Sequence, residues 1–134
     1  MLRRSFMNLT GLAIAATMGL ATLGNTAALA SDQNYFFDIL YLAEGKTVDD
    51  AKAYFTKIEP VVAKHGLVRL SESFQITQKM RGDIDPNLVN LWTVSDPKAT
   101  MPGIFKDPAY QQHIEQRNAT FDMERSLMFM MKDY

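Results

Sequence analysis

Apolar side chains recur at two spacings after residue 30, and each spacing predicts one type of element. A stripe at three- and four-residue intervals predicts a helix over 47–64, with Thr47 as its N-cap and a kink or a new helix at Pro60. Asp107-Pro108 predicts the start of a second helix, because Asp caps helices and proline suits the first helical position. Alternation at every second position predicts strands over residues 34–43, 67–80, 88–94 and 123–132.

The order strand, helix, strand, strand, helix, strand predicts a ferredoxin-like α+β fold, βαββαβ, with a four-stranded antiparallel sheet and two helices on one face. The first strand is apolar on both sides, with Tyr35 and Phe37 on one face and Phe36 and Leu40 on the other. A bare apolar sheet face is a liability in a monomer. We therefore expect two sheets to pair face to face, as a homodimeric α+β barrel.

Residues 1–30 have the order of a secretory signal peptide. Arg3-Arg4 precedes a weakly apolar stretch over 9–23, and Ala28-Leu29-Ala30 has the small-x-small pattern of a cleavage site. We expect cleavage after Ala30, a mature domain over 31–134, and a periplasmic or secreted location.

The segment Arg3-Arg4-Ser5-Phe6-Met7-Asn8 resembles the bacterial twin-arginine signal, although Leu2 and Asn8 depart from its usual residues. That route exports proteins already folded, and general secretion is the alternative. Gly19 and Gly24 interrupt the apolar stretch, so it contains no clean run of roughly 20 apolar residues. No membrane anchor is therefore expected after cleavage.

Composition narrows the function classes open to residues 31–134. Removing the leader takes away two of the fourteen basic side chains and none of the fifteen acids, which leaves a net charge of −3. Without a basic tract, nucleic acid is not an expected partner. The chain has no cysteine, so disulfides, thiolate metal sites and cysteine nucleophiles are excluded. A single domain of 104 residues can bury one core.

His113 and Asp38 are the candidate catalytic residues. On a continuous helix, His113 would lie one turn from both Tyr110 and Arg117, where a neutral imidazole can act as a general base. A hydrogen-bonded structural histidine is the alternative. Asp38 lies on an apolar side of its strand, where an unpaired carboxylate is costly and its pKa is open to perturbation. Pairing across the dimer interface is the alternative for Asp38.

Four side chains are candidate ligand-binding residues: Arg117, Trp92, Tyr110 and Tyr41. Arg117 beside an apolar stripe needs a partner, either Asp38 or Glu72 in a salt bridge or an anionic group of a substrate. The aromatic rings would either stack on an aromatic ligand or fill the core. No dedicated metal site is expected, because no carboxylate lies at ligand spacing from either histidine.

Residues 105–110, Phe-Lys-Asp-Pro-Ala-Tyr, with Arg117 after them, resemble the F-x-(D/S)-P-x-Y … R segment of small NIPSNAP-like domains. Residues 91–96 resemble the strand and turn that precede this segment there. The chain thus resembles the dimeric α+β barrel superfamily, which also includes antibiotic-biosynthesis and haem-degrading monooxygenases. The resemblance implies a homodimer with a pocket between sheet and helices for a small aromatic or apolar molecule. It implies cofactor-independent monooxygenase chemistry, with a non-enzymatic periplasmic binding or assembly protein as the alternative.

The resemblance leaves the cofactor open. Haem-degrading members need an Asn on the first strand, a Trp before the second helix and a His on that helix. Asn34 lies near the first position, but Ile104 or Phe105 occupies the place of the Trp. His113 lies one residue from the ligand position. These departures argue against haem.

Overall fold

The computed structural model describes residues 32–134, so the predicted leader and its cleavage site lie outside the described residues. The strands are β1 (Asn34–Leu40), β2 (Leu67–Arg69), β3 (Phe74–Gln75), β4 (Leu88–Val94) and β5 (Leu127–Lys132). The helices are α1 (Val48–Ala63), α2 (Thr100–Lys106), α3 (Pro108–Gln111) and α4 (Ile114–Thr120).

The sheet has the strand order β2-β4-β1-β5, with every pair antiparallel and β3 pairing with β4 beyond the end of β2. β1 and β4 are therefore the central strands, as the ferredoxin-like order of elements requires. In the register, Phe36 lies opposite Trp92, and Phe37 lies opposite Leu91 on one side and Phe129 on the other. This architecture confirms the predicted α+β class.

The helix α1 forms where its sequence signals predicted. Thr47 Oγ1 accepts the backbone N–H of Asp50, and the Asp50 carboxylate accepts the N–H of Thr47, which together make a capping box. The helix runs through Pro60 to Ala63, so of the two alternatives expected at Pro60, a kink or a new helix, the new helix is wrong. Gly66 follows with φ +85°, a conformation that favours glycine, and a Cβ there would overlap Ser95 Oγ.

The two faces of the sheet differ in how well they are covered. From Phe36 onward in β1 and throughout β4, the even-numbered side chains are buried against the helices. Odd-numbered side chains of the same strands are only half-buried, and the rings of Phe37 and Phe129 lie 6.4 Å apart on that side. Every residue of β5 is exposed. The predicted bare apolar face is therefore present, and we call it the open face, made of Tyr35, Phe37, Ile39, Val89, Leu91, Leu127, Phe129 and Met131.

Two predicted strands are shorter than expected. The strand predicted over 67–80 is split into β2 and β3, and pairing ends near residue 76 because β4 begins only at Leu88. The last strand begins at Leu127 rather than Met123. Residues before it form a turn in which Ser126 N–H donates to the Asp122 carbonyl at 3.1 Å.

The second helix is also divided. Asp107 caps α3 through the Ala109 N–H at 2.8 Å with Pro108 at the first position, as predicted. Gln112 and His113 then form a turn between α3 and α4, with His113 at φ −101° and ψ −1°. The expectation of one continuous helix is therefore wrong. No helix among residues 32–134 has the length and apolar character needed to cross a membrane.

Candidate functional site

A small cavity lies between the covered face of the sheet and the helices, and most of its wall is apolar. Its volume is about 80 Å³. Phe36 and Leu40 of β1, Phe55 of α1 and Ile104 of α2 contribute apolar walls. The polar groups that also reach the cavity belong to Asp38, Tyr54, Trp92, Tyr110 and Arg117. A mostly apolar cavity with a few convergent polar groups is the usual form of a small-molecule site.

Asp38 supplies the buried acid of this cavity. It lies in the middle of β1 and is only 5% exposed. Asn90 Nδ2 donates to Asp38 Oδ1 at 2.6 Å, and Trp92 Nε1 donates to Asp38 Oδ2 at 3.0 Å. Both donors come from the neighbouring strand β4, since Asp38 pairs with Asn90 in the register.

Burial decides the protonation of Asp38. Removing the carboxylate from water raises its pKa to about 6, and the hydrogen bonds from Asn90 and Trp92 and the positive charge of Arg69 limit that rise. The group therefore exchanges its proton close to neutral pH, where an acid or base is most useful in catalysis. This confirms the expectation of a perturbed carboxyl on the inward side of β1.

Arg117 and Tyr110 form a second polar centre of the cavity. Arg117 Nη1 donates to the Tyr110 hydroxyl at 3.1 Å, and Arg117 Nε donates to Asn118 Oδ1 at 3.2 Å. Burial raises the pKa of the nearby Tyr54 phenol, and the neighbouring Tyr110 adds to that rise, so Tyr54 stays neutral. The site thus holds a cation and phenol hydroxyl groups together.

The predicted salt bridge from Arg117 to Asp38 or Glu72 is wrong. Within residues 32–134, no acidic side chain pairs with Arg117. Glu72 is exposed, and the Asp38 carboxylate accepts from Asn90 and Trp92 of β4 rather than from Arg117. Of the two expected partners for Arg117, an anionic group of a ligand is the one still open.

Arg69 is a residue that sequence reasoning missed. It pairs with Glu59, donates to Ser73 Oγ at 3.0 Å, and lies over the Phe55 ring at 4.6 Å. In the sequence, Arg69 is a charged residue within a predicted strand, and no local pattern indicates which side chains it contacts. Only the register, which places Arg69 opposite Trp92, brings it toward the site.

The structure brings together four of the six predicted site residues. Asp38, Trp92, Tyr110 and Arg117 all line the cavity. Tyr41 does not, because it lies past the end of β1 with its ring under the Arg125 guanidinium at 4.1 Å.

His113 also lies outside the cavity wall. α3 ends at Gln111 and α4 begins at Ile114, so the one-turn spacing that assumed a single helix does not apply. This placement corrects the expectation that His113 faces the pocket with Tyr110 and Arg117.

Metal and haem chemistry find little support in these residues. The part of the chain from 32 to 134 contains no group of three histidine or carboxylate side chains placed to hold a metal ion. Haem does not fit the cavity, which is far smaller than a porphyrin and has no histidine in its wall. His65 instead hydrogen-bonds the α3 cap, with Nε2 at 2.7 Å from Asp107 Oδ2, and this contact lowers the pKa of Asp107.

Several solved structures share this fold. A NIPSNAP domain protein from Burkholderia xenovorans superposes with a TM-score of 0.55 at 12% identity, over 73% of this chain and 91% of that one. SnoaB, a cofactor-independent oxygenase from Streptomyces nogalater, superposes with a TM-score of 0.55 at 16% identity, over 78% and 95%. A dimeric ferredoxin-like protein of unknown function from Jannaschia gives 0.54 at 17%, over 75% and 98%.

These likenesses confirm the resemblance to the NIPSNAP-like and dimeric α+β barrel proteins at the level of fold. No family model and no curated protein matches the sequence. At these identities the shared property is the arrangement of strands and helices, and function has to be argued from the site.

Proposed function

We propose that this chain is an exported homodimer that binds a small, mainly apolar or aromatic molecule and acts on it as a cofactor-independent monooxygenase. The observation that carries the proposal is the buried Asp38 carboxyl, with a pKa of about 6, in the wall of an otherwise apolar cavity. SnoaB, which has this fold, is a cofactor-independent oxygenase.

The residues of the cavity suit a reaction that begins with proton removal. Above pH 6 the Asp38 carboxylate can accept a proton from an activated CH2 group of the substrate. The Arg117 guanidinium and the Tyr110 hydroxyl can stabilise the resulting anion in surroundings with little water. Dioxygen then oxidises this electron-rich anion: the CH2 carbon becomes a carbonyl with one oxygen atom, and the other oxygen atom leaves as water.

The open face supports the homodimer. It places apolar side chains of three strands on one uncovered surface, and packing two such surfaces together removes them from water. The Jannaschia protein with this fold is dimeric. Export is proposed from the leader pattern in residues 1–30.

Trp92 provides a direct test of ligand binding. It is the single tryptophan of the chain and lines the cavity, so its fluorescence reports on occupancy. We expect 4-methylphenol to change this fluorescence in the wild type. In Arg117→Met, which removes the cation but keeps an apolar stem, we expect affinity for the phenol to fall roughly tenfold or more. Toluene, which matches the phenol in shape and lacks the hydroxyl, should bind both proteins equally.

The outcomes separate the proposal from its alternatives. Equal loss of phenol and toluene binding in Arg117→Met would mean that the residue shapes the cavity and binds no polar group. Glu72→Gln, a change at an exposed acid outside the cavity, is the matched control and should leave both affinities unchanged. No fluorescence response to any aromatic probe would refute the ligand-binding proposal.

A non-enzymatic binding or assembly protein is the second candidate, and the small volume of the cavity favours it. Oxygen uptake with bound phenols and cyclic ketones that carry an activated CH2 group distinguishes the two. Uptake in the wild type that is lost in Asp38→Asn supports the monooxygenase. Binding without uptake supports the second candidate.

A further inference from the structure

Asn90 is completely buried, and both ends of its side-chain amide are engaged. Its Nδ2 donates to Asp38 at 2.6 Å. Its Oδ1 accepts from Ser73 Oγ at 2.5 Å and from Arg69 Nη1 at 3.5 Å. Neither Ser73, Arg69 nor Asn90 reaches the cavity, so this chain of contacts lies behind the acid, on the side away from a ligand.

The direction of these hydrogen bonds permits one orientation of the Asn90 amide. If the amide turned over, its carbonyl oxygen would face the Asp38 carboxylate, and its NH2 would face the Arg69 guanidinium, which can only donate. Both contacts would be repulsive, and buried groups without partners are costly. The Ser73 hydroxyl accepts from Arg69 and keeps its own hydrogen for the Asn90 oxygen. The donors behind Asn90 therefore hold its N–H group toward Asp38.

Arg69 is itself held by several contacts. Its guanidinium pairs with Glu59, donates to Ser73, and lies over the rings of Phe55 and Trp92 at 4.6 and 5.9 Å. It also brings a positive charge near Asp38, which favours the ionised carboxyl.

We infer that Arg69 and Ser73 are positioning residues for the Asp38 carboxylate: their donors fix the Asn90 amide as a donor to Asp38. The inference rests on the proposed function only for the use made of the carboxylate. Around Asp38, the charged and titratable groups are Arg69 from β2, with its partner Glu59 from α1, Tyr54 from α1, and Tyr110 and Arg117 across the cavity. Among these groups, Arg69 is the one in contact with the amide behind the acid.

The test measures the pKa of Asp38 in the ligand-free protein by NMR of ¹³C-labelled aspartate, with Asp38→Asn used to assign the signal. We expect titration near pH 6 in the wild type. Arg69→Met keeps the apolar stem but removes the charge and the donors, and it should raise the pKa of Asp38 by about one unit or more. Arg69→Lys keeps the charge without the planar donor group, and it should give a smaller rise.

Ser73→Ala removes the shortest donor to Asn90 without changing any charge, and it should also raise the pKa of Asp38. Arg81→Met removes a positive charge from an exposed loop and is the control, with no expected change. If Arg69→Met does not fold, Ser73→Ala and Arg69→Lys carry the test.

Thermal unfolding of the same variants separates positioning from a purely structural role. A folded Ser73→Ala protein with a lower melting temperature and an unchanged pKa of Asp38 would overturn the inference. The pKa measurement needs no ligand, so it tests the positioning role separately from the proposed function. If the pKa of Asp38 shifts as expected but binding or turnover is absent, the proposed function fails and the positioning role stands.

Discussion

The raised pKa of Asp38 predicts an unusual dependence of stability on pH. The folded-state pKa is about 6, against an ordinary value of 3.8. The folded protein therefore binds this proton more tightly than the unfolded chain does. Between about pH 4 and pH 6 the folded state holds more protons, so stability falls as pH rises through that window.

The size of the effect follows from the difference in pKa. Each unit is worth about 1.4 kcal/mol, so ionisation of Asp38 lowers the free energy of unfolding by about 3 kcal/mol when pH is well above 6. Lowering the pH from about 7.5 to about 5 should restore about half of this loss, which is roughly 1.4 kcal/mol of the free energy of unfolding. Asp50 and Asp107 have lowered pKa values, so the stability they add is lost only as pH falls below the ordinary aspartate range, outside this interval.

Asp38→Asn isolates this contribution. The variant cannot titrate at residue 38. Between the same two pH values, the change in its free energy of unfolding should therefore be smaller than that of the wild type, and the difference should be about 1.4 kcal/mol. Its amide must direct an NH2 group toward Asn90 Nδ2 or Trp92 Nε1, which are donors, so it should also lose about 1–2 kcal/mol at both pH values.

Urea unfolding measures both quantities, at one fixed protein concentration because the stability of the proposed dimer would depend on concentration. Glu72→Gln, at an exposed acid, should keep the pH dependence of the wild type. If Asp38→Asn also keeps the pH dependence of the wild type, another group titrates in this range and the argument from burial of Asp38 fails.

Three further predictions concern the fold, the dimer and the leader. Gly66→Ala should lower the free energy of unfolding by about 2 kcal/mol or more, because φ is +85° and the new Cβ would meet Ser95 Oγ; unchanged urea unfolding would contradict the close approach. Phe129→Asp on the open face should convert a dimer to a monomer in sedimentation, with exposed Lys98→Asp as the control, and a wild-type monomer would refute the interface. Intact mass of the exported protein should show Ser31 at the N-terminus, and a full-length protein as the only species would exclude cleavage.

Local signals in the sequence determined where most elements begin and what type they are. The Thr47 and Asp50 pair starts α1, and Asp107 with Pro108 starts α3, because capping depends on residues only a few positions apart. The alternating pattern of β1 likewise placed Asp38 on the covered face and Phe37 on the open one.

The composition of the site depended on contacts between residues far apart in the chain, and these only the tertiary structure decided. Strand register placed Asn90 and Trp92 in contact with Asp38. It also placed Arg69 opposite Trp92, a position that no local sequence pattern predicted. The prediction for His113 assumed one continuous second helix. In the structure α4 begins after His113, and His113 does not line the cavity. Periodicity along the chain determines which face a side chain occupies, whereas pairing between distant segments determines which side chains meet there.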